Sequence, residues 1–587
     1  MEESNPIPKL EVEDIDHLGL IAGIVDDIGL VEIINERIES HAQEKVSAGQ
    51  VVKALILNCM GFLTAPLYLF HQFFEGKATE HLIGEGVQAE YLNARRIGRV
   101  LDDLYKYGIS TLFMVIALEV VKKFGVSVKR VHGDSTSFYV YGDYKKEVEG
   151  EGGGGELEDQ SQGDGEPKLE QLEQKGEAVK SESQEESDFV PISMERGYSR
   201  DHRPDLKQFT LNLITTTDGD IPLGLRLGNG NEVDSQVLAP FLKQWQESWE
   251  EIGGERPQVL AADDALFTQD NLRLLGELPW ISRVPATVGE ARQLMQTQPQ
   301  SQFQASALPD YRYSEVSTTY GEVQQRWLIV ESQARLQADL PKLDQKLDKI
   351  LNQHNKQLQQ LSTQAFACEA DALQAAQAFG QSLQYYLLQN LQILTKPHYS
   401  KPGRPSQGET PSHYTFHISA EIVPKPEAIQ RLRSQAGRFI IATNLLDDQT
   451  WSNDQLLQEY KNQTCERGFR FLKDPLFFVS RVFLKSPKRI MVLTMIMALS
   501  LMVYCLGQRQ LRLALAHSQA TLEDQKGKPT SKPTLRWLFQ CFLSIHLVWL
   551  DGSKTLIQLS PRQRRILHFF TPNCQKYYFL DLSTCRM

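Results

Sequence analysis

Residues 126–142 read VSVKRVHGDSTSFYVYG, an apolar and β-branched run that predicts a strand with Asp134 in its middle. Two further runs, QFTLNLITTT at 208–217 and IPLGLRLG at 221–228, flank a DGD turn at 218–220 and predict a β-hairpin. The three strands together indicate a sheet built around the segment that carries Asp134.

The segments that follow alternate between helical and extended patterns. They are a helix at 234–253, a buried strand at 257–264 that ends in Asp263 and Asp264, a helix at 268–280 and a short strand at 281–285. Three strands followed by alternating helices and strands predict the α/β class, with a central mixed sheet flanked by helices. We assign residues 126–289 to the first part of this core.

The region ahead of the core has helical periodicity throughout. Ser47 is a suitable N-cap for one of its helices, and Gly125 is a suitable end for the last one. Residues 1–125 are therefore expected to form an all-α N-terminal domain.

One predicted helix of this domain, in the sequence YLNARRIGRVLDDLY, carries Arg95, Arg96 and Arg99 close together. A charged cluster of this kind is typical of a solvated helix face, and a helix that contacts DNA is the alternative. We favour the solvated face, because no clear helix-turn-helix spacing accompanies the cluster.

Residues 290–432 interrupt the core pattern. Strands are expected at RWLIVES and HYTFHISAEIV, and long helices between them at 334–361 and 369–394. We interpret this region as a separately packed insertion of mixed α/β structure. The core resumes in 433–587, where GRFIIATNLL predicts a strand and 453–473 predicts one continuous helix.

The net charge of −12, with a pI near 5.7, at first argues against a nucleic-acid partner. However, residues 147–188 alone hold 15 acidic and 3 basic residues, and the other 545 residues hold 59 of each. This segment has almost no apolar content and is expected to be a disordered loop. Residues 461–587 carry 20 basic and 6 acidic residues, so the C-terminal quarter suits DNA.

A cytoplasmic location is expected from the cysteines and the N-terminus. Seven scattered cysteines without a CxxC pair indicate reduced thiols, and the acidic N-terminus lacks the pattern of a signal peptide.

Residues 490–506 form an uncharged apolar run near the lower length for crossing a bilayer. We favour a buried core helix there, with a membrane-anchored protein as the alternative.

Three acidic residues have contexts that suggest chemistry. Asp134 lies within a strand, Asp263 closes another strand, and Glu466 lies among cations in CERGFRFLK. Carboxylates in apolar surroundings need a partner, and oxygen ligands of this kind suit two divalent cations bridged by a substrate phosphate. Each acid alone is more simply explained as a structural residue, and Glu466 can pair with Arg470 one turn along a helix.

Several motifs in order resemble the DDE transposases of bacterial insertion sequences, in the branch with a long insertion before the catalytic glutamate. The motifs are HGDSTSFYVYG, GYSRDHRPDLKQF, PLGLRLGNGNEVDSQ, VLAADDALFTQDNL with WISRVP, and YKNQTCERGFRFLKDPLFF. The resemblance covers nearly the whole chain and implies an RNase H-like fold. It also implies cleavage of DNA at element ends and strand transfer with two Mg²⁺ or Mn²⁺ ions. By position, Asp134, Asp263 and Glu466 match the catalytic, metal-binding carboxylates, and Asp263 is favoured over the adjacent Asp264.

The resemblance also implies DNA-binding residues. Lys473 follows Glu466 by the expected seven residues, whereas Tyr460 precedes it by one residue fewer than usual and Asn462 occupies the arginine position beside Lys461. The remaining expected DNA contacts are Arg467, Arg470, Arg200, His202 and Arg203. His132 is interpreted as structural because magnesium prefers oxygen ligands.

We therefore expect an endonuclease and polynucleotidyl transferase that acts on terminal inverted repeats and target DNA. The helical domain at 1–125 would bind or pair the ends, and the family implies a homodimer in the DNA complex. A catalytically inactive, DNA-binding derivative is the alternative. No GxxxxGK[ST] loop occurs, so ATP-driven transposition is not supported.

Overall fold

The computed structural model describes residues 10–40, 43–61, 69–141, 144, 190–198, 203–400, 410–462, 464–474, 486–550, 553–556 and 559–578. The chain divides into two compact units. The first unit comprises Met1–Ala261, Leu274–Leu278 and Asn462–Met587, and the second comprises Ala262–Arg273 and Pro279–Lys461.

Strands and helices alternate along the described chain, as expected for a mixed α/β protein. The strands are β1 Leu10–Asp14, β2 Arg130–Val140, β3 Lys207–Thr216, β4 Pro222–Gly228, β5 Val259–Ala262, β6 Trp280–Val284, β7 Gln304–Ala305, β8 Tyr311–Tyr320, β9 Val323–Ser332, β10 Tyr386–His398, β11 His413–Pro424, β12 Arg438–Thr443, β13 Leu522–Glu523, β14 Pro529–Thr530, β15 His546–Leu550 and β16 Ser553–Leu556. The helices are α1 Leu18–Ile28, α2 Leu30–Asn35, α3 Ala48–Cys59, α4 Phe70–Phe74, α5 Thr79–Ile83, α6 Ala94–Tyr107, α7 Ile109–Phe124, α8 Asp234–Glu251, α9 Gln269–Leu275, α10 Gly289–Thr297, α11 Gln333–Thr363, α12 Glu369–Ser382, α13 Pro426–Ser434, α14 Asn453–Lys461, α15 Thr464–Leu472, α16 Pro487–His517, α17 Leu535–Cys541, α18 Pro561–Leu567 and α19 Pro572–Gln575.

The N-terminal part of the first unit is helical from α1 to α7, apart from β1. Ser47 caps α3 with a capping box, in which the Ser47 hydroxyl accepts from the Gln50 amide and the Gln50 side chain accepts from the Ser47 amide. Gly125 ends α7 in the left-handed conformation. Both predicted helix boundaries are confirmed.

C-terminal residues complete this helical part of the first unit. Strand β1 pairs antiparallel with β15, and α1 packs against α19. The contact is so close that a Cβ on Gly23 would lie 2.3 Å from the Cα of Cys574. The two ends of the chain therefore share one core, although more than 400 residues separate them in sequence.

The sheet of the first unit has the strand order β4-β3-β2-β5. The β3–β4 hairpin is antiparallel, as expected, and β2 pairs antiparallel with β3 so that Asp134 lies opposite Leu213. In the same unit, α16 is long and apolar enough to cross a membrane, but 89% of its apolar window is buried. Helices α6 and α7 are bent relative to each other by 87°, and they are long and apolar enough to cross a membrane only if the two together count as one span. The prediction of a buried core helix at 490–506 is confirmed.

The second unit contains the strands β6-β12-β9-β8-β7, in that order. Strand β12 pairs antiparallel with both β6 and β9, and β9 pairs with β8. Residues 304–332 thus extend a sheet that also contains β12 from the later core segment. The prediction of a separately packed insertion at 290–432 is therefore wrong for residues 304–332, because backbone pairing joins them to β12.

The rest of the insertion has a small core of its own. Ala372 and Ala376 on α12 pack with Ile418 of the β10–β11 ribbon. The helix expected to reach residue 394 ends at Ser382, and residues 386–398 form β10 instead. Leu391 and Ile393, two residues apart, both pack against this small core. The apolar residues therefore follow the two-residue period of a strand, which is difficult to distinguish from a helical period in so short a run.

The helix expected at 453–473 is two helices, α14 and α15. Tyr460 and Lys461 lie on the first of them in the second unit, whereas Glu466 lies on the other in the first unit. Helical spacing therefore does not relate Tyr460 to Glu466. The acidic segment 147–188 lies outside the described residues.

Candidate active site

Asp134 lies in the middle of β2 and is partly buried. Its Oδ1 accepts a hydrogen bond from the Ser135 amide at 2.7 Å. The neighbouring side chains are polar as well, since the Ser135 hydroxyl donates to Asn212 Oδ1 at 2.6 Å. This strand, predicted from its β-branched sequence, holds a carboxylate at a fixed position on the sheet.

Helix α15 is held against β2 and β3 by buried side chains. The Cys465 thiol donates to the carbonyl oxygen of His132 at 3.1 Å, and the hydroxyls of Thr464 and Thr215 are 2.5 Å apart. Burial raises the pKa of the Cys465 thiol, and the nearby Asp134 carboxylate adds to this effect. Because Glu466 follows Cys465 directly, this docking holds the Glu466 backbone against the strand that carries Asp134.

The Glu466 side chain itself is directed away from this buried contact. It is 56% exposed, and its Oε1 is 3.7 Å from the guanidinium of Arg470, which is 79% exposed. Lys473 follows the end of α15, with its Nζ 5.5 Å from the centre of the Phe138 ring on β2. Glu466, Arg470 and Lys473 thus lie on or just after one short helix, and the intrahelical pair considered from sequence is present.

The other expected DNA contacts of the first unit have acidic partners. Arg467 binds both oxygens of Asp220, in the β3–β4 turn, at 2.8 and 2.7 Å, and this raises the pKa of its guanidinium. Arg203 pairs with Asp205 at 2.7 Å and lies 5.9 Å from the Tyr139 ring. Arg200 and His202 lie outside the described residues.

Asp263, in the second unit, follows directly after β5. Its Oδ1 accepts from the Ala265 amide at 3.0 Å, and its carbonyl oxygen accepts from the Ser282 hydroxyl at 2.7 Å. The carboxylate therefore caps the short turn that begins at Asp264. This contact agrees with the simpler explanation from the sequence, in which each acid alone is a structural residue.

Tyr460 lies near Asp263 within the second unit. Burial raises the pKa of the Tyr460 phenol to about 12; the nearby Arg283 opposes this rise, and Asp264 and Asp263 add to it. Next along the chain, Lys461 Nζ lies 3.9 Å from the centre of the Tyr311 ring. Tyr460, Asp263 and Arg283 thus belong to one charged neighbourhood of the second unit.

Some residues of these two neighbourhoods were not singled out in the sequence. Cys465 and Thr464 fix α15 to the sheet, and Arg283 adds a cation beside Tyr460. Arg283 belongs to WISRVP, one of the motifs that carry the resemblance, and this position was a usable signal. No sequence signal distinguishes Cys465 from an ordinary buried cysteine.

A metal site can be tested against the donor atoms. Asp134, Asp263 and Glu466 all offer carboxylate oxygens, the ligands that Mg²⁺ and Mn²⁺ prefer. Among the described residues, however, no group of three or more His, Cys, Asp or Glu side chains is placed to hold a metal ion. The oxygen donors of these three side chains fit Mg²⁺ or Mn²⁺, but the described residues do not assemble them into one ligand group. The binding of two ions therefore stays a prediction.

Comparison with known families gives one match. Residues 10–118 match DUF4277, which is described as a domain of unknown function. The match lies within the helical region ahead of β2 and covers less than half of the chain. No curated protein matches the chain.

Proposed function

We propose that the protein is a transposase that cleaves DNA at the ends of an insertion sequence and joins the 3′ ends to a target. In this proposal the core is RNase H-like, and Asp134, Asp263 and Glu466 supply the catalytic carboxylates. The observation that carries it is the docking of α15 on β2, through Cys465 and His132, beside the strand that bears Asp134. This arrangement supports the order of motifs that the sequence shares with DDE transposases.

Cations beside the acids support a phosphate-containing substrate. Arg470 and Lys473 lie close to Glu466 along the chain, and both can offer positive charge to a DNA backbone. In the proposed reaction, a water oxygen attacks a phosphodiester at the element end and the 3′ oxygen leaves as a hydroxyl. This 3′ hydroxyl then attacks a target phosphodiester and displaces the target's own 3′ oxygen, which takes up the proton. Divalent ions, which the resemblance implies, would activate the attacking oxygen and stabilise the leaving oxygen when bound.

A cleavage assay tests the proposal directly. Purified full-length protein is incubated with Mg²⁺ or Mn²⁺ and a labelled duplex that carries one of the inverted repeats flanking the gene. Asp134→Ala, Asp263→Ala and Glu466→Ala should each abolish strand cleavage and leave DNA binding measurable. Glu119→Ala, on the exposed face of α7, is the matched control and should cleave normally. Near-normal cleavage by any of the three variants would refute the role of that residue.

One observation favours the alternative, a DNA-binding derivative that has lost catalysis. Among the described residues, no three or more His, Cys, Asp or Glu side chains are assembled as a group of metal ligands. The same assay separates the two functions. The inactive derivative would bind the inverted-repeat duplex and produce no nicks with either ion, whereas a transposase would produce metal-dependent nicks.

A further inference from the structure

Helix α6 carries the three arginines that the sequence left undecided between a solvated face and a DNA contact. The structure separates them into two kinds. The Arg96 side chain is mostly buried. Its guanidinium binds both carboxylate oxygens of Glu44 and donates to the carbonyl oxygen of Val46 at 3.0 Å. Arg96 is therefore a structural residue that ties the 44–46 segment to the start of α6.

Arg95 and Arg99 lie one turn apart on the exposed side of the same helix. Neither makes a hydrogen bond or ion pair with any residue in the described part of the chain. The acids of α6 are engaged elsewhere, because Asp102 binds Arg489 at 2.9 and 2.8 Å and Asp103 pairs with Lys106 at 3.5 Å. The first two turns of α6 thus present positive charge that neighbouring side chains do not neutralise.

A third exposed cation is held close to the helix start. Lys45 lies between the two residues that Arg96 binds, and its Nζ is 4.3 Å from the centre of the Tyr91 ring. Asn93 caps α6 by accepting from the Arg96 amide at 3.0 Å. The positive end of the helix dipole adds to the charge of these side chains. We call Lys45, Arg95 and Arg99 the α6 cationic surface.

The opposite face of α6 is firmly packed, so the helix presents this surface from a rigid support. Ile97, Val100, Leu101 and Leu104 are buried, and α6 packs against α16. A helix with one apolar face in the core leaves its charged face available to a ligand. Helices that contact DNA commonly use the side chains of their first turns in this way.

We propose that the α6 cationic surface binds the phosphate backbone of duplex DNA and gives the region that matches DUF4277 a DNA-binding role. The choice of DNA as the anionic partner rests on the proposed function. The guanidinium groups of Arg95 and Arg99 each present several donors suited to phosphate oxygens, and a helix N-terminus also favours phosphate. The surface positions DNA through phosphates and would bind different sequences with similar strength.

The salt dependence of binding tests this surface. Full-length protein is titrated into labelled duplex DNA between about 50 and 200 mM salt. Arg95→Ala/Arg99→Ala should weaken binding to all duplexes and reduce the slope of log K against log salt by about 1.8, since each lost phosphate contact removes about 0.9. Lys122→Ala/Lys129→Ala removes two exposed charges of the same unit, away from α6, and should keep the parent slope.

A second variant guards against misfolding. Arg95→Lys/Arg99→Lys keeps both charges and should keep most of the slope, whereas a folding defect would weaken binding without this rescue. A parent-like slope and affinity in Arg95→Ala/Arg99→Ala would overturn the inference, and so would a parent protein that does not bind duplex DNA. If the parent binds with the expected slope change but produces no metal-dependent nicks, the proposed function fails and the α6 surface stands. If the parent nicks DNA and the double alanine variant keeps its slope, only the α6 surface fails.

Discussion

Two ion pairs of the first unit each join a carboxylate to a basic side chain, but one is buried and the other is exposed. The buried pair is Lys53–Asp26, and the exposed pair is Glu466–Arg470. Lys53 is 3% exposed; its Nζ lies 2.6 Å from Asp26 Oδ1 and donates to the Tyr577 hydroxyl at 2.9 Å. Tyr577 in turn donates to Asp26 Oδ2 at 2.5 Å. The Glu466–Arg470 pair is mostly exposed, spans 3.7 Å and lies on a single helix.

The difference teaches which charges serve the fold and which remain available to a ligand. Burial alone would raise the pKa of Asp26, but the charge of Lys53 and hydrogen bonds from Lys53, Lys576 and Tyr577 lower it overall. A buried charge must keep these partners, because leaving one of them unpaired is costly. An exposed pair contributes little to stability and can exchange its partner for a phosphate or a cation.

The largest expected effect follows from removing one buried charge. Lys53→Met should lower the free energy of unfolding by about 3–5 kcal/mol, because it leaves Asp26 with fewer partners inside the core. Urea denaturation of the full-length protein measures this loss. Arg470→Gln, which breaks the exposed pair, should change the same quantity by less than about 0.5 kcal/mol.

The double variant Asp26→Asn/Lys53→Met sharpens the test, since it removes both charges. It should recover part of the lost stability, as buried pairs often tolerate neutral replacement of both members. Equal stability of Lys53→Met and the parent would show that the buried network contributes no more than a surface pair.

A smaller effect is expected from pH, through His17 in the same N-terminal core. Burial lowers the pKa of His17 from 6.5 to about 4; a hydrogen bond from its ring to the Met60 carbonyl opposes this, and Lys77 adds to it. The unfolded chain therefore binds a proton between pH 6.5 and 4 that the folded protein does not. Stability should fall as the pH drops through this window, by roughly 3 kcal/mol in all from this one group.

His17→Gln isolates this contribution, since glutamine can still donate to the Met60 carbonyl and does not titrate. The measurement is the free energy of unfolding in urea at several pH values between 4 and 7. The variant should lose less stability than the parent toward low pH. Parallel pH profiles for the two proteins would contradict the assignment to His17.

Much of the fold could be predicted from the sequence, because the patterns there are long and regular. Strands β2 to β6 and the helices between them lie near their expected positions. The uncharged, apolar run at 490–506 indicated the buried helix α16. The hydrophobic pattern did not predict the correct element where pairing with a neighbouring strand decides the structure. Strand β8, rich in polar residues, pairs with β9, and β10 forms because β11 lies beside it. Pairing over such distances is not encoded in local periodicity.

The candidate site was predictable along the chain but not in its contacts. The spacing within 466–473 indicated the Glu466–Arg470 pair, since both residues lie on one helix. The same spacing could not indicate that Arg467 binds Asp220, which lies 247 residues earlier, or that Arg96 binds Glu44. Whether an arginine is a structural residue or remains available to a ligand depends on whether the fold brings an acid near it.

The smallest expected change in stability, and the most direct test of the exposed pair, concerns Arg470. Arg470→Gln should reduce the slope of log K against log salt for duplex DNA by about 0.9, because one phosphate contact is lost. Arg431→Gln is a closely matched control: Arg431 pairs with Glu427 on α13 at the same i,i+4 spacing and the same 3.7 Å, with both side chains exposed. The control should keep the parent slope, since a solvated helix pair without a DNA role does not affect counterion release. Equal slopes for the parent and both variants would assign Arg470 to its helix pair alone, and an equal loss in both variants would indicate a general effect of net charge.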